Sequence, residues 1–352
     1  MNRTPALASR AGELAATIRH RRLSARAFRR MSAVAVVGLC LIIVTGAAVR
    51  LTGSGLGCLD WPTCRDGRVI APLRFHPWME FGNRLVTVGL SLVCVVAALA
   101  SQVRSTRRRD LTWLAFGLVG GLLAETVLGG ITVLEKLAPP FVMAHFLLAI
   151  VFLTDAVLLY HRAGLPEEPV PGRPGRARVS GEVVPLVGRD QSRLARLMLL
   201  ATFVVLVFGT LVTSTGPHGG SPLAPRFDFS LHDLAQLHGS SADVLVGLVV
   251  VTLGLMMRSG VAPSVMRRGE MLLAAVVLQG AVGYSLYFLG DPAPLTEVHV
   301  AGAMLVVLAV LRFNLGLAVR STAVSRDALA ADAHHRPRAD RPAAGRPAAL
   351  PG

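Results

Sequence analysis

Long uncharged apolar runs, broken by short polar stretches, recur along the whole chain. An α-helix rises about 1.5 Å per residue, so crossing about 30 Å of hydrocarbon takes about 20 apolar residues. Runs of that length lie near 31–50, 78–102, 110–133, 142–160, 193–213, 234–257, 268–289 and 295–317. The pattern predicts an all-α integral membrane protein with eight transmembrane helices. The segment from Met1 to Arg30 is arginine-rich, but the apolar run after it continues into a polar loop with no small-residue cleavage site, so it reads as a retained first helix.

The apolar pattern repeats. Gly46, Val49, Thr52 and Gly53 recur as Gly209, Val212, Thr215 and Gly216, while Gly129 and Ala144-His145 recur as Gly283 and Val298-His299. The offset is 163 residues at Gly46/Gly209 and 155 at Asn83/His238, so the first outer loop is longer by about eight residues than its counterpart. Each repeat has an even number of spans, so the copies share one orientation, related by an axis along the membrane normal. Two pseudo-symmetric four-helix bundles follow. The chain divides into a tail at 1–30, a first bundle at 31–160, a Pro/Gly-rich linker at 161–192, a second bundle at 193–319, and a disordered extension at 320–352 biased to Ala, Pro and Arg.

Composition agrees, with 53% apolar residues. The formal charge of +15 would point to nucleic acid in a soluble protein, yet the arginines sit in tails and alternate loops, with few aromatics beside them. Nucleic-acid binding is set aside. Arg104, Arg107, Arg108 and Arg109 follow the second span, Arg173, Arg176 and Arg178 the fourth, and Arg258, Arg267 and Arg268 the sixth. Basic loops stay inside, so these loops and both termini are expected on the cytoplasmic side of the cell membrane.

Asn83, His145, His238 and His299 occupy equivalent positions on the second and fourth helix of each half, one to two turns inside the outer ends. His238 and His299 would face each other at one depth, as hexacoordinate heme iron requires of its axial imidazoles. The alternative is that each histidine bonds a carbonyl of a neighbouring helix. In the first half the pair is Asn83 and His145, and an asparagine amide is a poor ligand for heme iron, so the halves should differ in function. Glu80 lies on the Asn83 face with Arg84 close by; it is either a structural partner of Arg84 or retained for reactivity. Glu125, whose repeat counterpart is Gln279, reads as a hydrogen-bonded helix contact. Cys58 and Cys64 frame the long outer loop, as a disulfide or as free or redox-active thiols. Cys40 and Cys94 read as packing residues, His218 and His232 as surface histidines, and His76 as a neighbour of the second helix's N-cap.

These residues resemble the heme A synthase family. The match rests on Gly53-Ser-Gly-Leu-Gly-Cys58, Cys64, Glu80-Phe-Gly-Asn-Arg84, Leu128-Gly-Gly-Ile-Thr-Val133, Ala144-His145, Gln236-Leu-His238 and Glu297-Val-His299. The resemblance implies an oxidoreductase that converts a ring methyl of heme O to a formyl group with water as oxygen source, for assembly of a heme-copper terminal oxidase. It implies heme b as cofactor on His238 and His299, and heme O as substrate in the first bundle at His145, with Asn83 and Arg84 beside it. It further implies that Glu80 is the catalytic carboxylate and that Cys58 and Cys64 form the outer-loop pair. Expected partners are the lipid bilayer, a heme O synthase and a membrane electron acceptor. One position departs: well-known members carry a histidine where this chain has Asn83. The rival reading is a membrane b-type cytochrome electron-transfer subunit, which needs the histidine pair but no carboxylate beside it; a transporter is disfavoured because the polar residues lie near the outer ends rather than at the midplane.

Overall fold

A computed structural model describes residues 23–321. The first part of the expected N-terminal tail and the C-terminal extension from residue 322 onward lie outside the described residues. Among the described residues, eight helices are long and apolar enough to cross a membrane. They are α1 (Ala25–Leu51), α2 (Phe75–Val103), α3 (Arg109–Leu134), α4 (Pro139–Ala163), α5 (Arg189–Thr215), α6 (Leu231–Arg258), α7 (Pro263–Leu289) and α8 (Ala293–Leu315). Their ends are set by local chemistry. The Ser24 and Ser230 side chains accept hydrogen bonds from the N–H groups of Ala27 and Asp233, capping α1 and α6. Prolines open α4, α7 and α8, where a missing N–H costs nothing. Gly290, with φ 74°, closes α7 in the left-handed region.

Helix α1 packs on α2 and α4, and α3 packs on the same two, closing a first four-helix bundle; α5 to α8 close a second in the same way. The bundles meet through α1 with α8, α4 with α5, and α4 with α8. A twofold operation that exchanges α1 with α5 and α4 with α8 turns the first of these contacts into the second and maps the third onto itself. The contacts therefore carry the pseudo-symmetry expected of the repeat. The first core, with Leu39, Cys94, Leu118 and Leu153, takes in Met304 and Val307 of α8 and so runs across the interface. Val88, Leu92, Leu99 and Val103 stay exposed along one face of α2. An apolar stripe of that kind suits lipid contact.

At the basic end of the molecule Arg104 and Arg108 are buried: Arg104 pairs with Glu167 at 3.1 Å, and Arg108 pairs with Asp110 at 2.7 Å. A guanidinium withdrawn from water needs such partners. The linker contains short strands. β1 (Glu167–Pro169) pairs with β2 (Ala177–Val179), and β3 (Glu182–Pro185) pairs with β4 (Ala318–Ser321), both antiparallel. Gly172 and Gly175, with φ 70° and 76°, allow the β1–β2 connection to turn. Thus the boundary expected at residue 320 falls inside β4, and the linker fastens the chain after α8 to the rest of this face. Bridges between Leu23 and Arg104 and between Arg107 and Arg176 draw the other basic segments to the same end.

Candidate functional site

At the opposite end, α2, α4, α6 and α8 begin. Asn83, His145, His238 and His299 lie six to eight residues inside those helices, at a shared depth of about 10 Å. His238 and His299 are brought together across the second bundle, with ring centroids 6.1 Å apart. Two imidazoles ligating one iron from opposite sides, each with a metal–nitrogen bond of about 2 Å, put their centroids about 6 Å apart. Both rings are fixed from behind. His238 Nδ1 donates to the carbonyl of Val205 at 3.0 Å, which leaves Nε2 with its lone pair free. The Gln279 amide lies 3.0 Å from Nδ1 of His299 and also donates to that residue's carbonyl at 2.9 Å. With the amide so placed its N–H group faces Nδ1, and ligation through Nε2 requires the Gln279 side chain to move so that its oxygen meets an Nδ1 hydrogen. A Cβ on Gly209 would stand 3.0 Å from Cε1 of His238, and one on Gly283 would stand 3.2 Å from Cε1 of His299. Each ring therefore rests against a glycine.

The first half keeps this frame and changes its chemistry. Gly129 seats His145, with a would-be Cβ 3.1 Å from Cε1, and Gly46 faces Asn83. Behind His145, Glu125 takes the place of Gln279, its Oε2 2.7 Å from Nδ1 but outside hydrogen-bond geometry. Glu125 thus lies in contact with α4, though without the hydrogen bond expected of it. Asn83 Oδ1 accepts a hydrogen bond from Thr45 Oγ1 at 2.7 Å. The His145 side chain is 42% exposed while that of Glu125 is 13% exposed, so the ring faces open space from a covered support.

Above this half lies the longer outer loop. Cys58 and Cys64 are disulfide-bonded. Glu80 is buried beneath them: Oε2 accepts from the Cys58 N–H at 2.8 Å, and Oε1 accepts from Arg84 Nη2 at 2.6 Å. Arg84 also donates to the carbonyls of Asp60, Pro62 and Thr63. Glu80 and Arg84 together clamp the loop onto α2. The loop's Trp61 lies against Gly130, where any Cβ would overlap the indole, next to the glycine that seats His145. The Gly-Ser-Gly-Leu-Gly stretch has its own reasons: Gly53 has φ 67°, Gly57 passes against the backbone at His76, and Ser54 Oγ is hydrogen-bonded to His76 Nδ1 at 2.9 Å.

The remaining candidates stand apart. His76 belongs to the first turn of α2, which begins at Phe75, rather than lying before it. His232 is exposed and bonded to Gln236 and Tyr287; His218 reaches the backbone carbonyl of Asp291. Cys94 is buried in the first core and Cys40 packs against it. Thr45 and Trp61 were not singled out from sequence. Their signal was available in the repeat, since the counterpart of Thr45 is Phe208 and that of Gly130 is Tyr284.

The sequence profile of the cytochrome oxidase assembly protein family, COX15-CtaA, matches residues 29–76 and 70–217. The chain is 25% identical over 344 residues to the heme A synthase of Shewanella oneidensis, an alignment covering 83% of this chain and 97% of that protein. It is 32% identical over 108 residues to the heme A synthase of Geobacillus kaustophilus, covering 30% of this chain and 33% of that protein. The heme A synthase of Geobacillus thermodenitrificans is 31% identical over 108 residues, again 33% of its length. The chain thus spans only a third of the Geobacillus relatives it matches. The profile match runs through the outer loop, Glu80, Asn83, Glu125 and His145, and the chain belongs to the COX15-CtaA family of cytochrome oxidase assembly proteins.

Proposed function

We propose that the chain is a heme A synthase, which oxidises a ring methyl of heme O to a formyl group. The observation that carries this reading is the contrast between two repeat-equivalent sites: a matched imidazole pair in one half, and an asymmetric, partly open histidine site in the other. The relatives named heme A synthase favour it. The second half would hold heme b through Nε2 of His238 and His299; when bound, that heme supplies a one-electron relay towards a membrane acceptor. The first half would receive heme O at His145. The reaction balances with water: a methyl group and two waters give a geminal diol, four protons and four electrons, and the diol then loses one water to leave the aldehyde.

The chain's own residues would orient the substrate and shape the charge around it. His145, seated on Gly129 and backed by Glu125, offers Nε2 as ligand. Glu80 is the carboxylate the family resemblance marks as catalytic. Both its oxygens are engaged, and taking up a proton would break the Arg84 pair, so the contacts favour a fixed anion that stabilises cationic character over a proton acceptor. The basic end, with its gathered arginine loops, would face the cytoplasm, and the disulfide loop the oxidising side. The test is pigment extraction from cells expressing the chain with and without a heme O source. A formyl-bearing heme that appears only with both supports the proposal. Extracts holding only heme b and unchanged heme O would refute it and favour a b-type electron-transfer subunit.

A further inference from the structure

Resting on the proposed substrate site, we propose that this chain binds the substrate heme iron through one protein ligand, His145. The opposite axial position would then stay open to a small oxygen-donor ligand, which the Asn83 amide hydrogen-bonds. In the second half the α6 position carries an imidazole that meets its partner ring at the separation a shared iron requires. In the first half the equivalent α2 position carries Asn83, which is shorter and has no ring nitrogen to offer. Its one good acceptor atom, Oδ1, is held by the Thr45 hydroxyl at 2.7 Å. What remains is the NH2 group, which donates hydrogen bonds and does not ligate. Phe208 stands where Thr45 would be in the second half, so the anchor of this amide belongs to the first half alone.

The other side of the site is changed to match. Glu125 puts a carboxylate 2.7 Å from Nδ1 of His145, where the second half has the neutral Gln279 amide. At that distance a small turn of the ring would bring the Nδ1 hydrogen onto the carboxylate, a bond that fixes the tautomer of a metal-bound imidazole and raises its donor strength. A strong single ligand opposite a hydrogen-bond donor suits iron that binds a small exogenous molecule. The half-exposed His145 ring leaves room for that arrangement.

Carbon monoxide reports the open position, because ferrous heme held by two imidazoles excludes it. The full chain, purified with heme b and heme O bound, is reduced and titrated with carbon monoxide. The expected result is binding at one of the two hemes, with a high-spin signal from the same heme. Asn83→His should weaken carbon monoxide binding by at least about tenfold and turn that heme low-spin. Glu125→Gln should keep the stoichiometry and lower the iron–histidine stretching frequency. His145→Ala should abolish the carbon monoxide-reactive fraction. Wild-type protein with both hemes low-spin and unreactive overturns the inference, as would carbon monoxide reactivity that persists in His145→Ala, or a first half that takes up no heme O. Formyl heme made by a chain that excludes carbon monoxide would sink this inference and leave the proposed function standing. A reactive heme that never gives a formyl product would do the reverse.

Discussion

Replacing Arg84 with alanine strips the outer loop of contacts to the Glu80 carboxylate and to the carbonyls of Asp60, Pro62 and Thr63. Glu80, whose side chain is only 8% exposed, would keep only backbone donors, the Cys58 N–H at 2.8 Å and that of Gly57. Breaking a buried ion pair from one side costs about 3–5 kcal/mol, and since the Arg84 side chain is 24% exposed, water follows it in and lowers the expected cost to about 2–4 kcal/mol. Glu80→Gln perturbs less. The amide oxygen still accepts from Cys58, Arg84 keeps its three carbonyl acceptors, and one charge-assisted hydrogen bond is weakened at a cost of about 1.5 kcal/mol. The double variant removes both charges and should be more stable than Arg84→Ala by about 1 kcal/mol. Apparent unfolding temperatures in detergent, compared at one scan rate because such unfolding is irreversible, give the order. The reasoning fails if Glu80→Gln is the less stable single variant, or if the double variant is worse than Arg84→Ala. Formyl heme yield separates clamp from catalyst: Glu80→Gln should make little or none while retaining the low-spin heme, and wild-type turnover in that variant would leave Glu80 with the clamp alone.

Further outcomes follow from the same geometry. His238→Ala or His299→Ala should remove most of the low-spin heme b spectrum, and purification of either with the wild-type spectrum would refute the ligand assignment. Gly209→Val should displace the His238 ring and lose heme b, whereas Gly247→Ala, at a glycine with open space around it, should not; spectra of the two side by side decide it. Mass analysis after alkylation without reductant should find Cys58 and Cys64 unlabelled and Cys40 and Cys94 as thiols. Gly130→Ala should push Trp61 out of its seat, read as a change in tryptophan emission that is absent when Trp61→Phe is combined with it.

The spans were legible because the bilayer imposes a length and an apolar composition that any window along the sequence can test. Their ends were not. Helix α1 begins at Ala25, six residues before the apolar run at 31, because Arg26, Arg29 and Arg30 form helix as readily as leucine while reading as polar. Conversely α8 stops at Leu315, since Gly316 follows it despite the apolar Leu317. The strands left no local sign. β3 and β4 have four residues each and pair across more than a hundred residues of chain, so their register exists only once the bundles have packed. Arg104 and Arg108 were legible as a charge signal but not as buried residues, because their partners Glu167 and Asp110 are found only in three dimensions or at a helix start.

The site was legible to the extent that the repeat compares one half with the other. Glycine seats at Gly46 and Gly129 recur as Gly209 and Gly283, so the space beside each ring position is retained in both bundles. The residues that set the chemistry around those seats do not recur: Asn83 against His238, Glu125 against Gln279, Thr45 against Phe208, Gly130 with its Trp61 against Tyr284. The halves differ on the lipid-facing surface as well, where Val88 and Leu92 correspond to Asp243 and Gly247. These four differences matter for their place: they surround one ring on its ligand side, its backing side and its outer cover. A retained seat with altered surroundings fits two sites that accept the same flat macrocycle, one tuned to hold it unchanged and the other left open enough to act on it.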